Sequence, residues 1–186
     1  MKHSRMKISK SGEWCTHVCE AGLHHHQLTP LIARHFHVYF FQNNDQSVAD
    51  AMRLKAEIVE NVRQGKFLAV CDGVDANVTK AGFGLDFDST LVPEVNMGPR
   101  GPHPAGSYEV WVPVEHVGAL ISYLTLHRGE VSLLFHPLTK HCIEDHTGRI
   151  MFMGPSFNID RTVLDENDDE CDGSQYPELG LGYSRR

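Results

Sequence analysis

No apolar run in this 186-residue chain approaches the roughly 20 residues that cross a bilayer, so no membrane span is expected. The opening stretch, MKHSRMKISKSGEW, is basic but lacks the apolar segment of a secretory signal, and a cytoplasmic location is the expectation. Positive charge is also scarce. Lys and Arg number 17 against 24 Asp and Glu, a net charge of −7, which argues against a nucleic-acid surface built on a clustered basic face. The five cysteines contain no Cys-x-x-Cys pair, and their odd count argues against a disulfide framework. Cys71 and Cys142 are expected to behave as small apolar residues inside folded segments. No internal repeat is present.

What remains is an ordinary globular composition, 41% hydrophobic and 22% charged, with an unusual 13 histidines. Residues 1–32 show neither helical nor strand periodicity and predict a weakly ordered arm. That arm carries Cys15, His17, Cys19 and His24 to His26, whose spacing matches no standard zinc pattern, so a solvated arm is the simpler expectation. Residues 165–186 open on the acidic run DENDDECD and end Gly-rich, as a surface extension would. The functional domain is therefore expected over residues 33–164.

Within it, His35 to Phe41 alternates with period two and predicts a strand. Ser47 to Arg63 predicts a helix, with Ser47 and Asp50 resembling a capping box and Gly65 ending it. Val48, Ala51, Met52, Ile58, Val59 and Val62 form its apolar stripe. Tyr108 to Val114 predicts a strand and Val131 to His136 another. Between them Val117, Leu120, Ile121 and Leu124 mark a second amphipathic helix. One further strand is expected at Val92 to Met97, or alternatively at Lys66 to Val70. Met151 and Met153 look like core filler. The order strand, helix, strand, strand, helix, strand predicts an α+β, ferredoxin-like split βαβ sandwich with an antiparallel sheet.

Alternation along the strands sorts the side chains. Phe36, Val38, Phe40, Tyr108, Val110, Val112, Leu133 and Phe135 belong on the face that packs the helices. His35, His37, Tyr39, Glu109, Trp111, Leu134 and His136 then share the other face, and the His103 turn feeds into the Glu109 strand. A lone histidine on an open sheet face is ordinarily a solvated polar group. Several converging with a carboxylate match a non-heme Fe(II) oxygenase centre, although zinc takes the same ligands. Trp111 and Leu134 on an open face would form an apolar patch, from which a homodimer is expected.

His35-Phe36-His37-Val38-Tyr39-Phe40, Gly101-Pro102-His103-Pro104-Ala105-Gly106-Ser107-Tyr108-Glu109-Val110, Leu134-Phe135-His136-Pro137 and Asp145-His146-Thr147 follow one another in an order that resembles the DOPA dioxygenase family. Trp111-Val112-Pro113, His127-Arg128-Gly129 and the terminal Glu178-Leu179-Gly180-Leu181-Gly182 resemble its fungal members. The likeness covers about residues 34 to 183. It implies extradiol cleavage of DOPA with O2 by non-heme Fe(II), giving seco-DOPAs that close to the betalain pigment precursor betalamic acid and to muscaflavin. On that implication His37 and His136 are expected metal ligands, with Glu109 or His103 as the third. His35 is the expected acid/base, with His146 as an alternative or supporting group. Tyr39 and Trp111 are expected to wall the catechol ring, and Arg100 or Arg128 to hold its carboxylate. Two rivals stay open: a non-catalytic metal- or ligand-binding module on the same fold, and a zinc-dependent hydrolase using the same histidines.

Overall fold

The computed structural model describes residues 33–71, 95–139 and 141–164. The expected arm with its Cys/His cluster, the acidic extension and most of the stretch between residues 66 and 97 lie outside the described residues. Strand β1 (Ala33–Phe40) leads into helix α1 (Asp45–Arg63) and the short strand β2 (Val70–Cys71). Strand β3 (Gly106–Pro113), helix α2 (Val117–His127) and strand β4 (Ser132–Pro137) follow. A single-turn helix α3 (Cys142–Asp145), strand β5 (Met151–Met153) and a 3-10 turn at Arg161–Val163 complete the described elements.

Among the described residues the strands form one antiparallel sheet in the order β2-β3-β1-β4-β5. The first four positions are those of the split βαβ arrangement, with β1 central between β3 and β4, as expected. The second strand occupies the alternative position, since Val70 and Cys71 pair with Trp111 and Val110. Val92 to Met97, the first choice for that strand, contributes only one isolated bridge in its described part, from Asn96 to Ser107.

The helices follow from their apolar spacing. Ala51, Leu54, Ile58 and Val62 of α1, with Leu120 and Leu124 of α2, bury against Phe36, Val38, Phe40, Tyr108, Val110, Val112 and Leu133. Fully burying one such side chain stabilises the fold by about 1.5–3 kcal/mol. The cap of α1 differs from expectation. Asn44 is the capping residue, accepting a bond from the Ser47 amide at 3.0 Å, while the Ser47 hydroxyl accepts from the Phe41 amide. Gly65 at φ 68° ends the helix, in backbone space that a residue with a Cβ rarely enters.

Three further expectations are corrected. Met151 is not core: it is 57% exposed on the edge strand β5, and of the two methionines only Met153 packs against the core. Cys142 is disulfide-bonded instead of a small apolar residue, whereas Cys71 is buried in the core. The second sheet face is not open. Trp111 is 1% and Leu134 0% exposed, so they do not form the patch on which a homodimer was expected. The backbone tie from the Asp160 amide to the Pro102 carbonyl links the residues after β5 to the turn before β3. That second face becomes an interior.

Candidate metal centre

On β1 the period-two alternation sends Phe36, Val38 and Phe40 to the helices and His35, His37 and Tyr39 to the opposite face. Register then selects their neighbours. His35 lies between Trp111 of β3 and His136 of β4, and His37 lies between Glu109 and Leu134. Two more imidazoles arrive from outside the sheet. His103 sits in a turn closed by reciprocal backbone bonds with Arg100, and His146 follows α3 directly. His35, His37, His103 and His136 are all buried.

The rings meet at close range. His37 and His136 are nearly parallel, 8° apart in plane, and their Nε2 atoms are 2.9 Å apart. The centroid of His103 lies 3.9 Å from that of His37, and His146 lies 4.2 Å from His136. Two donor sets emerge whose ligand atoms lie within 4.8 Å of one another: His35 with His37 and His136, and His37 with His103 and His146.

Burial keeps His37, His103, His136 and His146 neutral. Desolvation, reinforced by the neighbouring imidazoles, holds His37 well below the ordinary histidine range. The same two causes act on His136, partly opposed by the Pro137 carbonyl. Burial, then His146 and His35, bring His103 down to about 3. His146 is lowered by burial against the opposing Cys142 carbonyl. A neutral imidazole is the form that ligates a metal.

Outer partners orient the rings. Nδ1 of His136 donates to the Pro137 carbonyl at 2.8 Å, and Nδ1 of His146 donates to the Cys142 carbonyl at 3.0 Å. Nδ1 of His37 faces the Glu109 carboxylate at 3.9 Å. Acceptors at Nδ1 leave Nε2 as a bare lone pair, the arrangement that supports metal-ligating histidines. Two lone pairs facing each other repel unless a proton or a cation lies between them. Nitrogens bound at about 2.0–2.1 Å to one ion, at a right angle, stand about 2.9 Å apart, so the His37–His136 separation fits a shared ion.

All five histidines singled out in the sequence converge here. Glu109 belongs to neither donor set and stands behind His37, at the ring nitrogen opposite the one facing His136. Tyr39 is buried with its hydroxyl 2.6 Å from His103 Nδ1 and its ring against Phe157 at 4.8 Å. Trp111 lies beside His35 in the interior. Arg100 is exposed, and its guanidinium donates to Asn96 at 3.2 Å. Arg128 is not brought to the cluster. It donates to the Val131 carbonyl at 2.8 Å and packs over Gly154, near Ser132 at the end of β4 away from His136. Four residues of strand separate these ends by about 13 Å.

Sequence reasoning missed Phe157 and the anchor of His146. Asp145 is buried and accepts from the Thr139 amide at 2.6 Å and from Arg149 at 2.8 Å, fixing the segment that carries His146. An acidic residue directly before His146 was visible, but nothing local indicated its partners.

Comparison with known proteins points to one family. Residues 34–163 match the model of the Dopa 4,5-dioxygenase family. A DOPA 4,5-dioxygenase from Amanita muscaria is 39% identical over 150 residues, which are 81% of this chain and 57% of that protein. An uncharacterised 21.2 kDa protein from Botryotinia fuckeliana is 36% identical over 75 residues, 36% of this chain and 40% of that protein. The chain thus spans little more than half the length of the first of these curated relatives and less of the second. The crystal structure of a candidate dioxygenase from Nostoc punctiforme superposes with a TM-score of 0.55 at 21% identity, covering 73% of this chain and 92% of that one, which shows a shared fold. With the family match running from the first strand through the last described turn, the chain belongs to the Dopa 4,5-dioxygenase family.

Proposed function

We propose that this chain is a metal-dependent extradiol dioxygenase that opens the catechol ring of DOPA or a close relative. The observation that carries this reading is the 2.9 Å approach of two buried, neutral imidazoles, His37 and His136, inside a ring of three more. Histidine-rich sites with positions left for substrate suit non-heme Fe(II), and family membership supports the same choice over zinc. Fe(II), when bound, would supply a redox-active Lewis acid for the reaction of a catechol with O2.

The chain's own residues supply the rest. His35, His37 and His136 would hold the ion, since all three stand on sheet strands and form one of the two donor sets. Glu109 steadies the far nitrogen of His37. His146 offers a neutral Nε2 lone pair to a phenolic proton of the substrate, since its Nδ1 is committed to the Cys142 carbonyl. The buried setting excludes bulk water, which would otherwise compete for reactive oxygen. Overall, one ring C–C bond beside the diol and the O–O bond break. Both oxygen atoms enter the product, and no external reductant is consumed.

Anaerobic loading with Fe(II), followed by DOPA and air, tests the reading. Oxygen uptake mole for mole with DOPA and a yellow ring-opened product are expected. A protein that holds iron and takes up no oxygen with any catechol would be a binding module or a hydrolase instead.

A further inference from the structure

His103 differs from its neighbours in what meets its Nδ1. At His37, His136 and His146 that nitrogen faces a carboxylate or a carbonyl, groups that only accept. At His103 it faces the phenol of Tyr39, 2.6 Å away. Tyr39 is 1% exposed, its ring lies between Phe157 and Phe152, and His103 is the hydroxyl's only hydrogen-bond partner among the described residues. Were His103 the donor, the phenolic proton would be buried without an acceptor, at a cost that disfavours this arrangement. The O–H of Tyr39 therefore donates, Nδ1 of His103 accepts, and the imidazole proton sits on Nε2.

The pair is thus a phenol donating to an imidazole, with one proton held between Tyr39 and Nδ1 and the other on Nε2. In that state neither ring nitrogen of His103 has a lone pair to spare. One accepts from Tyr39 and the other carries hydrogen. The ring lies 3.9 Å from that of His37, tilted by 32°, and 5.9 Å from that of His146, and one of its nitrogens lies within 4.8 Å of ligand atoms on both.

We infer that His103 is the hydrogen-bond donor of this centre and not a metal ligand, and that Tyr39 is the positioning residue that fixes its proton on Nε2. The inference rests on the dioxygenase reading for the identity of the acceptor, a substrate or dioxygen oxygen. It also divides the labour at the site. Strand histidines carry the ion, His146 offers a lone pair and His103 offers an N–H.

The proton's place can be read directly by long-range proton–nitrogen NMR on histidine-labelled protein loaded with Zn(II). His103 is expected as the Nε2–H form, with no coordination shift when zinc is added, and Tyr39→Phe is expected to release it into a mixture of forms. In iron-loaded protein, His103→Ala and Tyr39→Phe are expected to retain one Fe(II) per chain. Turnover of DOPA should fall about 100-fold in His103→Ala with KM little changed, and less in Tyr39→Phe. His103→Gln, whose amide keeps an N–H donor, should recover part of the loss and covers the case in which alanine disturbs folding. An Nδ1–H signal at His103, a zinc-induced shift of its Nε2, or loss of iron from Tyr39→Phe would overturn the assignment. Failure of iron-loaded wild type to consume oxygen with DOPA would defeat the dioxygenase reading alone, because the NMR result does not depend on turnover.

Discussion

His35 and His136 are direct partners across the β1–β4 ladder, with ring centroids 5.2 Å apart and planes 85° from parallel. This edge-on meeting lets both donor sites reach the same space as His37, two residues along the same strand. The proposed ligand set is thereby defined by sheet register, which is among the stiffest relationships a fold provides.

The first expectation follows from that register. His35→Ala, His37→Ala and His136→Ala should each lose iron on gel filtration, because two remaining protein ligands are too few for a stable site. Metal analysis of the folded variants checks this. Full iron content in His35→Ala would move that residue out of the ligand set and back to an acid/base role.

Glu109→Ala should fold normally and keep the site, yet bind metal about 10- to 100-fold more weakly, the usual cost of removing an outer partner of a ligating histidine. Competition with a chelator of known affinity measures it. Complete loss of metal would instead make Glu109 a direct ligand.

Phe36→Ala should destabilise the fold by about 3–5 kcal/mol, since the ring is fully buried between the helices and packs against Phe135 at 4.8 Å. Urea unfolding of the metal-free protein reports the change.

Gly106→Ala should cost about 1–3 kcal/mol through overpacking. A Cβ there would lie 2.6 Å from the ring of Phe40, its register partner, which is itself buried and cannot swing away. Pairing the substitution with Phe40→Leu should recover stability. If the double variant is no better than the sum of the two single changes, the close approach is not the cause.

Arg128→Ala should leave the KM for DOPA within about twofold, because the guanidinium serves the Val131 carbonyl and not the histidine cluster. A large rise in KM would restore it as the carboxylate-binding residue.

Much of this architecture was legible in the sequence, because a strand alternates its side chains whatever its surroundings. The parity of His35 and His37 against Phe36 and Val38, of Glu109 against Tyr108 and Val110, and of His136 against Phe135 gave both faces and the convergence of imidazoles. What escaped depends on tertiary closure. That Trp111 and Leu134 are interior follows from covering segments with no periodicity of their own. The pairing of Tyr39 with His103 joins residues 64 positions apart through a hydroxyl with no sequence signature. Arg128 lies near Ser132 at the far end of β4, and a basic residue near a motif says nothing about which end of a strand it serves.

Strand β1 bears on how the protein would respond to scarcity of its metal. The same eight residues present Phe36, Val38 and Phe40 to the hydrophobic core and His35 and His37 to the candidate metal centre. Ligand geometry and core integrity are thus two sides of one ribbon, and the unfolded chain has no such site. An ion that binds only the folded form adds stability by mass action, about 2.7 kcal/mol at a hundredfold excess over Kd. The metal of the proposed centre would then act as a folding cofactor as well as a catalytic one. A depleted pool would lower the protein's lifetime before turnover became limiting, coupling the abundance of the protein to the supply of its metal.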